Sequence, residues 1–254
     1  MIQLKTPKDI KKIAYSGHLL ADIVKKLVRQ VKPGVTTLAI DTLAETMIRD
    51  CGGTPAFKYY QSHPDDPPFP STICASVNNE LVHTPASERQ LGQGDIFTID
   101  IGMEYEGLFT DMAVTVPVGS IVKEAKKLLK VTRESLARGI KAARPGNFVH
   151  DISRAVQEYV EDNGFSLNRV LVGHGVGYAV HEDPRIPNFI APHQPSIPLV
   201  VGMVLAIEPM VNVGTDKVTT LDDGWTVVTA DGKLCAHFEH TVAVTERGPV
   251  VLTN

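Results

Sequence analysis

Two stretches of the chain repeat one restrictive pattern. Gly94-Asp-Ile-Phe-Thr-Ile-Asp100 and Gly202-Met-Val-Leu-Ala-Ile-Glu208 each place an acid six residues after a glycine, behind a β-prone apolar run. Each reads as a strand with a carboxylate at its end. An ionised acid at the end of a buried strand is costly unless something neutralises it. Two such strands predict carboxylates that converge on one cationic centre.

The surrounding chain repeats as well. Thr6-Pro7 reads as an N-cap followed by proline in the first helical turn. Ile10, Ile13, Gly17, Leu20, Val24, Leu27 and Val31 then recur at steps of three and four, the spacing of an amphipathic helix, up to a stop at Lys32-Pro33-Gly34. A second helix, roughly Leu38 to Arg49, ends at Gly52-Gly53. Ser120 then reads as the cap of a third helix carrying Ala125, Leu128, Leu129, Leu136 and Ile140, which stops at Arg144-Pro145-Gly146. A fourth ends at Asn163-Gly164. Pro33 and Pro145 lie 112 residues apart, and Asp100 and Glu208 lie 108 apart. Two markers with nearly one offset predict an α/β (α+β) protein of two pseudo-symmetric halves, about residues 6–116 and 120–245 of one catalytic domain spanning 1–254. Pro-Gly is a common helix stop, so chance is the plain alternative. Each half is expected to add a strand pair. Asp95–Met103 and Leu108–Val116 flank the turn Glu104–Gly107, and Trp225–Thr229 and Leu234–Thr245 flank Ala230–Lys233. The proline-rich stretch between Ala56 and Pro70 reads as a surface lid or pocket rim.

The 254 residues suffice to bury a sizeable core, and a formal charge of -4 without like-charged blocks argues against nucleic-acid partners. Cys51, Cys74 and Cys235 are scattered with no C-x-x-C pair, which favours a reducing cytoplasm over a disulfide framework. Met1 to Lys12 has no apolar leader, and the longest apolar run, Ile197 to Ile207, holds Pro198 and is too short to span a bilayer. A cytoplasmic enzyme without membrane contact is the expectation.

Five side chains carry the chemical signal. Asp100 and Asp111 sit on the two strands of the first expected hairpin, and Glu208 closes its strand before Pro209. Glu239 lies in a strand-like Ala236-His-Phe-Glu-His-Thr-Val stretch, and His174 lies in Val172-Gly-His-Gly-Val-Gly177, where small neighbours permit close approach. Taken singly, each reads most simply as a structural acid or a loop histidine. Together, four crowded carboxylates would repel and stay partly protonated unless cations offset them, and two divalent ions balance the charge. Oxygen donors with one imidazole suit Mn, Fe(II), Co or Zn. Two such ions can share a water-derived nucleophile and hold a substrate carbonyl.

These residues, with the phrases Gly-His-Gly-Val-Gly, Ile-Glu-Pro-Met and Phe-Glu-His-Thr, resemble the ligand set of the type I methionine aminopeptidases. The similarity runs from the Lys-Thr-Pro-Lys-Asp-Ile opening to the C-terminal strand. It implies the pita-bread fold, with two pseudo-two-fold halves around a central antiparallel sheet. It also implies removal of N-terminal methionine from peptides and nascent chains, at the ribosome, by a monomer. By resemblance, Asp100 and Asp111 bind metal, Asp111 and Glu239 bridge both ions, and His174 and Glu208 complete one shell, with Glu208 also moving a proton. His83, in Glu80-Leu-Val-His-Thr-Pro85, looks like the family histidine beside the scissile amide. His181 looks like the one that steadies the tetrahedral intermediate. Tyr59, Phe69, Cys74 and Trp225 are the family-like candidates for the methionine pocket.

The chain departs from the family pattern at several places. Gln61 to Pro68 forms an insertion where a tight glycine turn is usual, and Asn188 to Leu199 forms a second variable loop. Thr84-Pro85 follows His83 in place of Gly-Ile-Pro, and Leu171 replaces a larger residue. None of these removes an expected ligand. An Xaa-Pro aminopeptidase or dipeptidase of the same fold shares the five residues and usually carries an extra N-terminal domain. A metal-free peptide-binding relative would have lost ligands.

Overall fold

The computed structural model describes residues 2–61, 67–190 and 196–254. Parts of both inserted segments, 62–66 and 191–195, lie outside these residues. Four helices alternate with strands: α1 (Pro7–Val28), α2 (Thr37–Asp50), α3 (Lys123–Ala142) and α4 (Val149–Asp162). Helix α1 opens with a reciprocal cap in which Thr6 Oγ1 accepts from the Asp9 amide and the Asp9 carboxylate accepts from the Thr6 amide. It ends at Val28, ahead of the expected Pro-Gly stop. Helix α3 starts three residues beyond Ser120, with Val122 in the capping position and no side-chain capping bond. The expectation that Ser120 caps α3 is therefore corrected. Buried Ile121 anchors the entry to α3 instead, and the Ser120 carbonyl accepts from Gln93 Nε2.

Every strand pairing in the fold is antiparallel among the described residues. Strand Ile96–Tyr105 pairs with Ile73–Val77 on one side and Leu108–Pro117 on the other. The hairpin turns at Glu106 and Gly107, both with positive φ (50° and 79°), the combination that matches strand twist in a two-residue loop. Alternation along these strands sorts their faces. Phe97, Ile99, Ile101 and Met103 pack beneath α1 and α2 with Leu20, Leu27, Ile40 and Ile48. The intervening Thr98, Asp100 and Gly102 therefore face the other way. The second half is built alike. Leu205, Ile207, Val242 and Val244 pack beneath α3 and α4, which leaves the alternate positions facing inward. The helices thus seal the outer faces, and the inner faces meet. Among the described residues no helix is long and apolar enough to cross a membrane.

Three strand expectations need correction. Asp100 does not end its strand, which continues to Tyr105 because Ile101 and Met103 keep the buried alternation going past the acid. Trp225–Thr229 and Leu234–Thr245 do not form a hairpin. Val227–Thr229 pairs with Val218–Thr220 and Glu80–Val82, whereas Cys235–His237 pairs with Met210–Asn212. Glu239 lies in a break between strands Cys235–His237 and His240–Thr245. Pro209 accounts for that break: it has no N–H to donate, and it interrupts the facing strand between Ile207 and Met210. Glu208 and Glu239 both sit at this interruption.

The halves are joined along Leu108–Pro117. Glu239 and Ala113 exchange backbone hydrogen bonds (2.9 and 3.4 Å). On either side a threonine hydroxyl continues the ladder. Thr241 Oγ1 accepts from the Asp111 amide and donates to the Asp111 carbonyl, while Thr115 Oγ1 accepts from the His237 amide and donates to the His237 carbonyl. The seam therefore fixes the backbones of Asp111 and Glu239 against each other.

Thr241→Val, which keeps the shape but removes the hydroxyl, leaves the buried Asp111 amide unpaired. It is expected to lower unfolding free energy by about 1–3 kcal/mol, measured by urea denaturation. A change within about 0.5 kcal/mol, the range of neutral surface substitutions, would show that the seam is not held this way.

Candidate metal centre

The strand register determines which acids meet. Asp111 stands opposite Gly102, and Asp100 stands opposite Ala113, so the two acids are diagonal neighbours on the inner face. Gly102 lets the Phe57 ring pack directly on that face beside Asp111: a Cβ there would lie 2.6 Å from Phe57 Cε1. In the second half His174 pairs with Ala206, two residues before Glu208. The pairing of His240 with Ile207, continued by one position, puts Glu239 across from Glu208. Gly173 and Gly175 let the backbone of the His174 strand close in, since a Cβ at either would approach the Ala206 or Asp183 carbonyl within 2.4 Å.

His174 is oriented by its own strand. Its Nδ1 lies 2.9 Å from the Gly175 carbonyl, an acceptor only, so Nδ1 carries the proton. The Nε2 lone pair then points at the acids, 3.5 Å from Glu208 Oε1 and 4.0 Å from Asp111 Oδ2. Ligand atoms of Asp111, His174 and Glu239 all lie within 4.8 Å of one another. Asp111 Oδ1 is buried with no hydrogen-bond partner among the described residues.

The electrostatics are those of a cation site. Burial pushes the Asp100 carboxyl up to about 6, with His237 opposing and Glu208 adding to the rise. Burial first, then repulsion from Asp100 and Glu208, raises Asp111 well above the usual carboxylate range. Glu239 rises through burial and then Asp111, Glu208 and Asp100. Glu208 rises through burial alone. His174 is pushed down to about 3, first by burial and then by nearby His181, and is a neutral ligand at ordinary pH. Four crowded acids, one neutral imidazole and an unpaired buried oxygen fit divalent cations, whose charge would cancel the repulsion. The donor set is oxygen-rich, as Mn, Fe(II), Co or Zn would accept.

The centre forms the floor of a cavity of about 570 Å³. Phe69, Cys74 and Trp225 line it, with the Phe69 and Trp225 rings edge to face at 5.2 Å. The Cys74 thiol sits cross-strand from Asp100, and burial, reinforced by that carboxylate, keeps it protonated. His83 and His181 also line the cavity. Burial, with His181 and His237 nearby, pushes His83 down to about 4. The His181 ring stands edge-on to His174 at 4.5 Å, and its Nδ1 meets the Tyr60 hydroxyl at 2.9 Å.

Tyr59 is the exception. It is 68% exposed and lies outside the lining, because its φ of +67° turns the chain and gives the wall to Tyr60 and Phe57 instead. Among the neighbours of the site that escaped the sequence reading are Phe57, Tyr60 and His237. Only His237 carried a usable signal, lying two residues before Glu239 and hence on the same face.

Comparison with known proteins follows the same lines. Residues 11–246 fit the sequence profile of Metallopeptidase family M24. The chain is 47% identical over 253 residues to a methionine aminopeptidase of Clostridium perfringens and 48% identical over 253 residues to methionine aminopeptidase 1 of Bacillus subtilis. Each alignment covers 100% of this chain and 99% of the relative. The crystal structure of methionine aminopeptidase from Thermotoga maritima matches with a TM-score of 0.95 at 42% identity, covering 100% of both chains.

The raised carboxylates fix a sign for pH dependence. A folded-state value above the unfolded one leaves stability intact at low pH and removes it as pH rises through the folded value. For Asp100, a rise from 3.8 to about 6 corresponds to about 3 kcal/mol. Metal-free protein is expected to lose stability between pH 4 and pH 6 through this group, and Asp100→Asn to flatten that fall. Thermal melts of both proteins in a chelator across this range provide the test. A wild-type curve that parallels the variant would contradict the crowding.

Proposed function

The chain belongs to metallopeptidase family M24, and from that membership we propose how its site works. Its activity is the metal-dependent hydrolytic removal of N-terminal methionine from peptides. The observation that carries the reading is the meeting of Asp111, His174 and Glu239 on the floor of a cavity walled by Phe69, Cys74 and Trp225. Asp100, Asp111, His174, Glu208 and Glu239 are the residues that would hold two divalent ions. When bound, such ions acidify water and polarise the substrate carbonyl.

The remaining steps fall to the chain's own groups. Glu208, its affinity for protons raised by burial, takes a proton from the attacking water and returns it to the leaving amine. His83, neutral through burial, donates a hydrogen bond that positions the scissile amide without adding charge. His181 accepts from the Tyr60 hydroxyl at Nδ1, which leaves its Nε2–H to steady the oxyanion. Phe69 and Trp225, with Phe57, offer aromatic faces and edges that suit a thioether. Cys74, held protonated, adds an uncharged wall.

Substrates are free N-terminal Met peptides and nascent chains met at the ribosome, and the enzyme acts as a cytoplasmic monomer. Free Cys51, Cys74 and Cys235 suit that reducing compartment. An Xaa-Pro specificity is the competing reading, disfavoured by full-length identity to methionine enzymes.

Initial rates on Met-Ala-Ser and Ala-Pro-Ala decide between them. Rapid release of methionine and negligible cleavage of Ala-Pro-Ala are expected. Asp111→Ala and Glu239→Ala should each lose more than the roughly 10- to 100-fold that removal of an outer-shell group costs. Preference for Ala-Pro-Ala, or retained turnover in either variant, would overturn the assignment.

A further inference from the structure

One buried side chain at the site has no assigned role. His237 is 1% exposed, yet neither ring nitrogen has a hydrogen-bond partner among the described residues. An imidazole buried without partners is costly unless the site supplies one. Its backbone is fixed on both sides by the Thr115 hydroxyl, so the ring cannot swing away with the chain. Its Nε2 lies 3.4 Å from Glu208 Oε2, while Glu208 Oε1 lies 3.5 Å from His174 Nε2. Two imidazoles thus bracket one carboxylate, one at each oxygen.

We propose that His237 is a positioning residue: its Nε2–H holds Glu208 Oε2 and so keeps Oε1 turned toward His174 and the metal. The inference rests on the reading of Glu208 as a ligand. Ligating carboxylates are commonly held by a hydrogen bond from outside the coordination shell, and their donors matter nearly as much as the ligands. Direct ligation by His237 is the rival arrangement. Among the described residues the His237 ring comes within 4.0 Å of one carboxylate only, that of Glu208, whereas His174 Nε2 reaches both Glu208 and Asp111. An outer position fits that geometry better.

Two full-length variants and one wild-type measurement test this. His237→Leu removes the donor, and His237→Gln keeps an N–H of similar reach. Titration calorimetry with Mn(II) is expected to show affinity falling about 10- to 100-fold in the leucine variant and recovering to within about threefold of wild type in the glutamine variant. The visible spectrum of the Co(II)-loaded glutamine variant should match wild type, because no ligand has changed. Metal-free melting of the leucine variant should not fall, since an apolar group replaces an unpaired one. In zinc-loaded wild type, long-range proton–nitrogen spectra should show Nε2 of His237 protonated.

Wild-type affinity in the leucine variant would overturn the proposal. So would a glutamine variant as weak as leucine with an altered Co(II) spectrum, or an unprotonated, metal-bound Nε2, each of which makes His237 a ligand. The spectrum of the wild type decides alone if the leucine variant does not fold. Glu208→Ala measured alongside separates the two levels. Unchanged metal binding there removes the ligand reading itself, whereas weakened binding there with none in His237→Leu removes only the role of His237.

Discussion

Four carboxylates buried on facing inner surfaces are the constraint on which this structure depends. Exclusion from water costs each of them its solvation, and among the described residues no Lys or Arg forms an ion pair with any of them. Asp111, Glu208 and Glu239 are all driven far above ordinary carboxylate values, chiefly by burial. A chain gains nothing from such crowding unless a charge of the opposite sign arrives. His174, held neutral with its lone pair facing the acids, adds a donor that only an electrophile can use.

The architecture follows from holding that crowd still. The helix pairs α1 with α2 and α3 with α4 cover the outer faces of the strands, so that alternation turns every second residue inward. The inner faces do not simply touch. They are stitched along Leu108–Pro117 by Ala113 and Glu239 backbone bonds, with Thr241 and Thr115 hydroxyls as the outer rungs. That seam sets Asp111 from the first half against Glu239 from the second, and His237 lies on its far rung. The same stitching that joins the halves therefore builds the floor of the cavity.

Much of this was legible because it depends on local rules. Helix periodicity and Pro-Gly stops marked the first and third helices, Gly52-Gly53 and Asn163-Gly164 marked the ends of the second and fourth, and the apolar runs before Asp100 and Glu208 marked their strands. The misreadings arose where distant partners decide. Asp100 looked terminal, yet Ile101 and Met103 extend the strand because α1 and α2 cover them. Glu239 looked like a strand residue, yet Pro209, thirty positions away in sequence, breaks the ladder beside it. Tyr59 and Tyr60 could not be told apart from composition, since one positive φ decides which faces the cavity. His237 was readable in principle from its two-residue step to Glu239, but nothing in the sequence said that its ring would meet Glu208.

The most direct test is diffraction from metal-soaked crystals recorded on both sides of the metal absorption edge. The account predicts two anomalous peaks per chain, both among Asp100, Asp111, His174, Glu208 and Glu239, with Asp111 and Glu239 reaching each of them. Peaks elsewhere, or five side chains turned away from the ions, would contradict it.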